Sequence, residues 1–314
     1  MSKQRIVFMG TPHFAVATLK ALLDANANVV GVITAPDRKA GRGMKLQPSA
    51  VKQFAVENDL KVLQPTNLKS EEFLNELKGL KATLQIVVAF RMLPEVVWNM
   101  PENGTFNLHA SLLPQYRGAA PINWAVINGE KESGVSTFFL QHQIDTGDII
   151  QQAEVSIDDD ETAGELHDKL MSVGAGLVVK TLKAIEAGNC PSTPQNASKE
   201  LQEAPKIFKE TCKVDWNKSA DDVFNLIRGL SPYPAAFTML VKDDSETGLK
   251  IYKANKTSLS QDAQAGSIHV ENRKIHIKCG NGWLQITELQ MAGKKRMDSK
   301  SFLLGFSLDD CKCI

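Results

Sequence analysis

Arg5-Ile6-Val7-Phe8-Met9-Gly10-Thr11-Pro12-His13-Phe14-Ala15 sets the fold class. Ile6 to Met9 is a short, continuous apolar run, the composition of a strand covered on both faces in a parallel sheet. Thr11-Pro12 reads as a helix N-cap followed by proline at the first helical position, and Phe14, Ala15, Leu19, Leu22 and Leu23 then recur at helical spacing. Val29 to Thr34 and Leu84 to Ala89 repeat the apolar run. Helices are expected from near Pro48 through Val51, Phe54 and Ala55, and over 163–187. Strand and helix alternating in this way predict an α/β, doubly wound, Rossmann-like domain with right-handed crossovers. The turn at Gly10 carries one glycine where a dinucleotide fingerprint carries three, so it reads as a tight connection and not as a nicotinamide or flavin site.

Composition narrows the class further. A chain of 314 residues exceeds one typical core, which favours two domains. Its 36 basic and 36 acidic residues cancel, and 43% of it is apolar, so charge alone does not announce a nucleic-acid binder. The N-terminal apolar run of four residues is too short for a signal-peptide core or a membrane span, which predicts a cytoplasmic protein without a membrane partner. Five scattered cysteines lack paired metal-site spacing and read as free thiols; Cys311 and Cys313 fall in a C-terminal tail expected to be mobile.

The texture changes after Gly188. Residues 189–196 are poor in apolar side chains and hold two prolines, so 1–188 reads as one domain, 189–205 as a linker and 206–314 as a second domain. Ala220, Val223, Phe224, Ile227 and Leu230 suggest a helix there. Leu249–Ala254, Ser267–Val270, Lys274–Cys279 and Trp283–Leu289 are short alternating segments separated by turn residues, as in a small OB-like β-barrel. From Lys206 onward there are 17 basic and 13 acidic residues, a weak pointer to nucleic acid.

Chemistry-bearing residues concentrate in the first half. Over Thr105 to His109 the side chains alternate, so Phe106 and Leu108 face one way while Asn107 and His109 share the other face. An amide and an imidazole on one face converge on one small ligand. Val135 to Ile144 has strand composition and ends at Asp145 beside Gly147, which predicts Asp145 at a strand end, where open α/β sheets keep their sites. Residues 35–45 hold four basic residues against one acid where a shorter connection would suffice. Each has a duller reading: a satisfied core histidine, a turn-forming aspartate and a solvated loop.

Asn107-x-His109, Ser111-Leu112-Leu113-Pro114, Arg117-Gly118, Pro121 and Asp145-Thr146-Gly147-Asp148 together resemble the site of the folate-dependent formyltransferase family. Gly10-Thr11-Pro12-His13-Phe14-Ala15 and the loop Pro36-Asp37-Arg38-Lys39-Ala40-Gly41-Arg42-Gly43 extend the resemblance toward members that act on charged initiator tRNA, and it runs from Arg5 to near Leu304. Phe90 and Arg91 stand where members often have tyrosine and glycine, and Ala110 replaces a frequent glycine, all bordering the expected folate pocket. The resemblance implies transfer of the formyl group of 10-formyltetrahydrofolate to the α-amine of initiator methionyl-tRNA, with no metal and no covalent intermediate; a monomer is expected. It implies that Asn107 and His109 stabilise the formyl oxygen and that Asp145 takes the amine proton and orients His109. It assigns Ser111, Leu112, Leu113 and Pro114 to folate, and Arg38, Arg42 and Lys45 to tRNA. A sugar-nucleotide N-formyltransferase would use the same Asn, His and Asp set on another amine. A non-enzymatic RNA-binding protein would need the barrel and the basic loop without that set.

Overall fold

The computed structural model describes residues 3–40, 44–196, 200–243 and 245–314. Two compact units organise the chain, one of Met1–Gly118, Gly134–Val155 and His167–Glu203, the other of Ala119–Ser133, Ser156–Leu166 and Ala204–Ile314.

As far as residue 186 the elements run β1 (Arg5–Gly10), α1 (His13–Asp24), β2 (Asn28–Ile33), β3 (Arg38–Ala40), β4 (Lys45–Gln47), α2 (Ala50–Glu57), β5 (Val62–Leu63), α3 (Glu71–Gly79), β6 (Leu84–Val88), α4 (Glu95–Trp98), β7 (Thr105–His109), β8 (Arg117–Gly118), α5 (Pro121–Ile127), β9 (Glu132–Phe139), β10 (Ile149–Ser156) and α6 (Ala163–Glu186). The main sheet has the order β10-β9-β7-β6-β1-β2-β5. Strand β1 is parallel to both β2 and β6, which puts the reversal of winding beside Gly10 and Val88, the place where open α/β sheets hold ligands. Ile6, Val7, Phe8 and Met9 are all fully buried, the outcome their continuous apolar run demands of a central parallel strand.

Three local expectations shift. Helix α1 starts at His13 with Pro12 as its cap, one residue later than the Thr11 reading, because the Pro12 carbonyl is the first to accept, from Ala15 N at 3.0 Å. Ser49 caps α2, accepting from Lys52 N at 3.0 Å. The strand expected to reach Ile144 ends at Phe139. It runs antiparallel to β7, pairing Phe106 with Phe139 and His109 with Ser136, so its end lies beside the start of β7.

Beyond β11 (Glu203–Ala204) come α7 (Ala220–Leu230), β12 (Ala236–Lys242), β13 (Ser245–Lys256), β14 (Ile268–Glu271), β15 (Lys274–Lys278), β16 (Trp283–Met291), β17 (Met297–Asp298), α8 (Ser299–Gly305) and β18 (Lys312–Cys313). Here the path is β14-β15-β16-β13-β12-β18, each neighbour antiparallel to the next, around a core that includes Trp216, Ile251, Ile277, Leu284, Ile286 and Leu289. The tail, expected to be mobile, is paired into the sheet. Cys313 pairs with Leu240, Ile314 N donates to Met239 O at 2.9 Å, and Trp216 Nε1 donates to Thr238 Oγ1, whose hydroxyl donates to Ile314 O. Ser267 bridges Lys312, so the two ends of the strand path meet and the sheet curls toward a barrel. Burial pushes the thiols of Cys279 and Cys313 up to about 12, which keeps both neutral in that interior.

Candidate active site

Strand β7 alternates as its spacing requires. Phe106 and Leu108 are buried, and a Cβ built at Gly174 on α6 would lie 2.8 Å from a Leu108 methyl carbon, so α6 packs on that side. Burying a side chain such as Phe106 is worth about 1.5–3 kcal/mol, which locks the register and hence the opposite face. That face carries Asn107 and His109. Asn107 is half-buried, and its amide has no hydrogen-bond partner among the described residues.

His109 is 6% exposed, with Nε2 2.8 Å from the Tyr116 carbonyl oxygen. A carbonyl only accepts, so Nε2 carries the hydrogen and Nδ1 is the nitrogen left to exchange a proton. Nδ1 faces Asp145 Oδ2 at 3.9 Å, a close electrostatic contact longer than a hydrogen bond. Asp145 was expected to orient the imidazole; the Tyr116 carbonyl makes the orienting bond. Asp145 Oδ2 is itself fixed by Gly118 N at 3.0 Å.

Asp145 does not sit at the strand end that its sequence context suggested. Because β9 ends beside the start of β7, residues 140–148 must double back to bring a carboxylate to His109. The return is tight: a Cβ at Gly147 would lie 1.7 Å from the Phe139 carbonyl oxygen, so no side chain fits there. Asp145 adopts φ +54, a left-handed conformation that aspartate tolerates better than most residues.

Gln195 holds this loop from outside. Its Nε2 donates to Asp145 O at 3.0 Å and Gly147 O at 2.7 Å, while its Oε1 accepts from Arg117 Nε at 3.1 Å and Nη2 at 2.6 Å. Ser192 Oγ donates to Asp148 Oδ2 at 2.7 Å. Part of the stretch read as a linker is therefore bound to the Asp145 loop. Tyr116 and Gln195 are contributors that sequence reasoning missed, and Gly118, quoted in the family motif, was given no role: Tyr116 and Gly118 act through backbone atoms, which any residue supplies, and a glutamine in a polar stretch carries no pattern.

The four residues assigned to folate divide. Ser111 Oγ donates to Gln115 O at 2.6 Å, Ser136 Oγ donates to Ser111 O at 2.6 Å, and Leu113 N donates to Ser136 Oγ at 3.0 Å. Ser111 and Leu113 are thus buried, whereas Leu112 and Pro114 are half-buried. Nearby, the Arg91 guanidinium donates to the carbonyls of Pro65 and Thr66 and lies 5.7 Å from the Phe90 ring centre, so the departure at 90–91 has a built local role.

Of the three cations assigned to tRNA, Arg38 and Lys45 lie on an antiparallel ribbon, β3–β4, where a featureless loop was expected. Arg38 pairs with Gln47, Lys39 with Leu46 and Ala40 with Lys45, which puts the Arg38 and Lys45 side chains on one face, and both are exposed. Its base is anchored: Asp37 accepts from Lys52 Nζ and Gln64 Nε2, at 2.7 and 2.8 Å, and these bonds, that of Gln64 foremost, hold its carboxyl below the usual range. Arg42 lies outside the described residues.

A carbonyl-anchored imidazole, an amide free to donate and a carboxylate 3.9 Å from that ring suit acyl transfer to an amine. The comparisons with known proteins agree in class. Residues 4–182 match the formyl transferase model and residues 206–307 match the model of the formyl transferase C-terminal domain, so the chain belongs to the formyl transferase family. Relatives along nearly its whole length are named methionyl-tRNA formyltransferase. That of Flavobacterium johnsoniae is 54% identical over 310 residues, covering 99% of this chain and 98% of its own. That of Parabacteroides distasonis is 56% identical over 309 residues, covering 96% and 95%. Among solved structures, WlaRD, a sugar 3N-formyl transferase crystallised with dTDP and 5-N-formyl-THF, superposes with a TM-score of 0.67 at 21% identity, covering 94% of this chain and 100% of that one. An N-formyltransferase from Helicobacter canadensis in complex with folinic acid and dTDP-3-aminofucose gives 0.68 at 22% identity, covering 95% and 100%. At such identities these two share the fold.

Proposed function

We propose that this enzyme transfers the formyl group of 10-formyltetrahydrofolate to the α-amine of initiator methionyl-tRNA, giving N-formylmethionyl-tRNA and tetrahydrofolate, as a single chain in the cytoplasm. Among the described residues no helix is long and apolar enough to cross a membrane. The observation that carries the chemistry is the 3.9 Å approach of Asp145 to His109, with Asn107 two residues before His109 on strand β7.

The residues fit a formyl donor because the half-buried Asn107 amide, without a protein partner, meets an oxygen that gains negative charge as the amine attacks. His109 adds a second donor from the same face when its Nδ1 is protonated. Asp145 accepts the proton that the amine must lose as its nitrogen bonds to the formyl carbon, directly or through one water; the bond from that carbon to the folate nitrogen then breaks, and this nitrogen takes up a proton. Such donors and bases are each worth about 10²–10⁴-fold in rate. Leu112 and Pro114 contact folate, while Ser111 and Leu113 hold that loop in shape.

Residues 1–188 carry the chemistry, 206–314 bind tRNA and 189–205 connect them. Arg38 and Lys45 contact tRNA phosphates from the ribbon, and Arg42 is assigned to the acceptor end on the family resemblance. The test offers the protein 10-formyltetrahydrofolate with either charged initiator tRNA or an amino-sugar nucleotide. Turnover with the tRNA alone is expected; turnover with the sugar nucleotide alone overturns the reading.

A further inference from the structure

Within the second unit, Phe237 on β12 is surrounded by three lysines. The Lys209 ammonium stands 5.9 Å from its ring centre, Lys250 is its direct cross-strand partner on β13, and Lys213 is its backbone bridge partner, with Val214 N donating to Phe237 O at 2.8 Å. A few residues away, Lys206 lies 5.5 Å from the centre of the exposed Phe208 ring. Glu210 is the acid of this segment, yet among the described residues none of the four lysines has a carboxylate within ion-pair distance.

Beside this cluster Tyr233 is 83% exposed. Its pedestal is stiff. Pro232 and Pro234 flank it and fix their own φ angles, Ala235 takes φ +75 with its N donating to Leu230 O at 2.8 Å, and Lys250 Nζ donates to Pro234 O at 3.3 Å. A large apolar ring left in water costs free energy, and four exposed ammoniums with no carboxylate at ion-pair distance leave an uncompensated positive field. A ligand that brings flat apolar faces spaced by phosphates relieves both at once, which is the chemistry of single-stranded nucleic acid.

We propose that Tyr233, Phe208 and the lysines at 206, 209, 213 and 250 form a stacking platform for unpaired nucleotides of the tRNA, bases on the rings and phosphates on the ammoniums. This rests on the tRNA reading above and adds the site through which the second unit takes part.

The test uses the full chain and labelled initiator methionyl-tRNA. Tyr233→Ala is expected to raise the Kd about 5- to 150-fold, the equivalent of ~1–3 kcal/mol for one base stacked on an aromatic ring, with kcat at saturating tRNA unchanged. Tyr233→Trp is expected to retain binding and to show indole fluorescence quenched by tRNA. Combining Lys209→Ala, Lys213→Ala and Lys250→Ala should flatten the salt dependence by about 2 in log–log slope, ~0.7 for each single-strand phosphate lost. Melting temperatures should match the parent chain. A wild-type Kd for Tyr233→Ala, or no quenching in Tyr233→Trp, overturns the platform. So does equal weakening of tRNA and polyglutamate by the lysine variant without a contribution from Tyr233. If the parent chain formylates tRNA while these variants bind normally, the platform alone falls; if the parent chain does not act on tRNA, the functional reading falls first.

Discussion

His109 is enclosed, with one ring nitrogen 2.8 Å from a carbonyl and the other facing a carboxylate, whereas Arg38, Lys39 and Lys45 on the β3–β4 ribbon stand in solvent. The two regions belong to one unit and use polar side chains for opposite ends. In the enclosed site the ring and the carboxylate are each held by a backbone group and face one another, so a displacement of either alters the other. On the ribbon each cation acts alone through water, and its worth falls with salt.

The largest effect that could break this contrast is loss of the acid-base pair. His109→Ala and Asp145→Asn are each expected to lower kcat/KM by about 10²–10⁴-fold, read beside thermal melts that stay at the parent value. Asparagine keeps the left-handed backbone at 145, so a fully active Asp145→Asn chain removes Asp145 as the base.

Next comes Gln195, which touches the loop and not His109. Removing its three carbonyl and guanidinium partners with Gln195→Ala should misplace the carboxylate and reduce kcat by roughly 10- to 100-fold, leaving the KM for tRNA near its original value. A change confined to KM would assign Gln195 to binding instead.

On the ribbon the expected loss is smaller and different in kind. Arg38→Ala with Lys45→Ala should raise the KM for tRNA about 10-fold at low salt, reduce the salt slope by about 2, and spare kcat. A kcat defect that persists at saturating tRNA would erase the division between chemistry and recognition.

The smallest effect concerns the ribbon's base. Bonds from Gln64 and Lys52 lower the Asp37 pKa, so the anchor's contribution is present above the ordinary value of 3.8 and is lost as pH falls through the depressed one. Side-chain NMR signals of Gln64 and Lys52 should titrate with a midpoint below 3.8. A midpoint at or above that value would mean that the anchor does not form in solution.

Elements whose period is local were legible in the order of residues alone. The runs at 6–9 and 84–88, the long helix from 163, the alternation of Asn107 with Phe106 and the short strands after 249 each follow from side chains that must be buried or solvated at a repeat of 2 or 3.6. The alternation also put Asn107 and His109 on one strand, whereas the grouping of both with Asp145 came from a family motif more than from their own chemistry. Tertiary structure decided what those residues touch. The direction of β9 depends on its partner β7, and only that direction forces the 140–148 loop back toward His109. The bonds that fix the site come from the Tyr116 carbonyl, the Gly118 amide and Gln195, 50 residues beyond Asp145, and the tail reads as loose until β12 offers it an edge. Backbone donors and distant partners leave no periodic trace in a sequence, because every residue carries the same amide and carbonyl and only the fold chooses which of them meet.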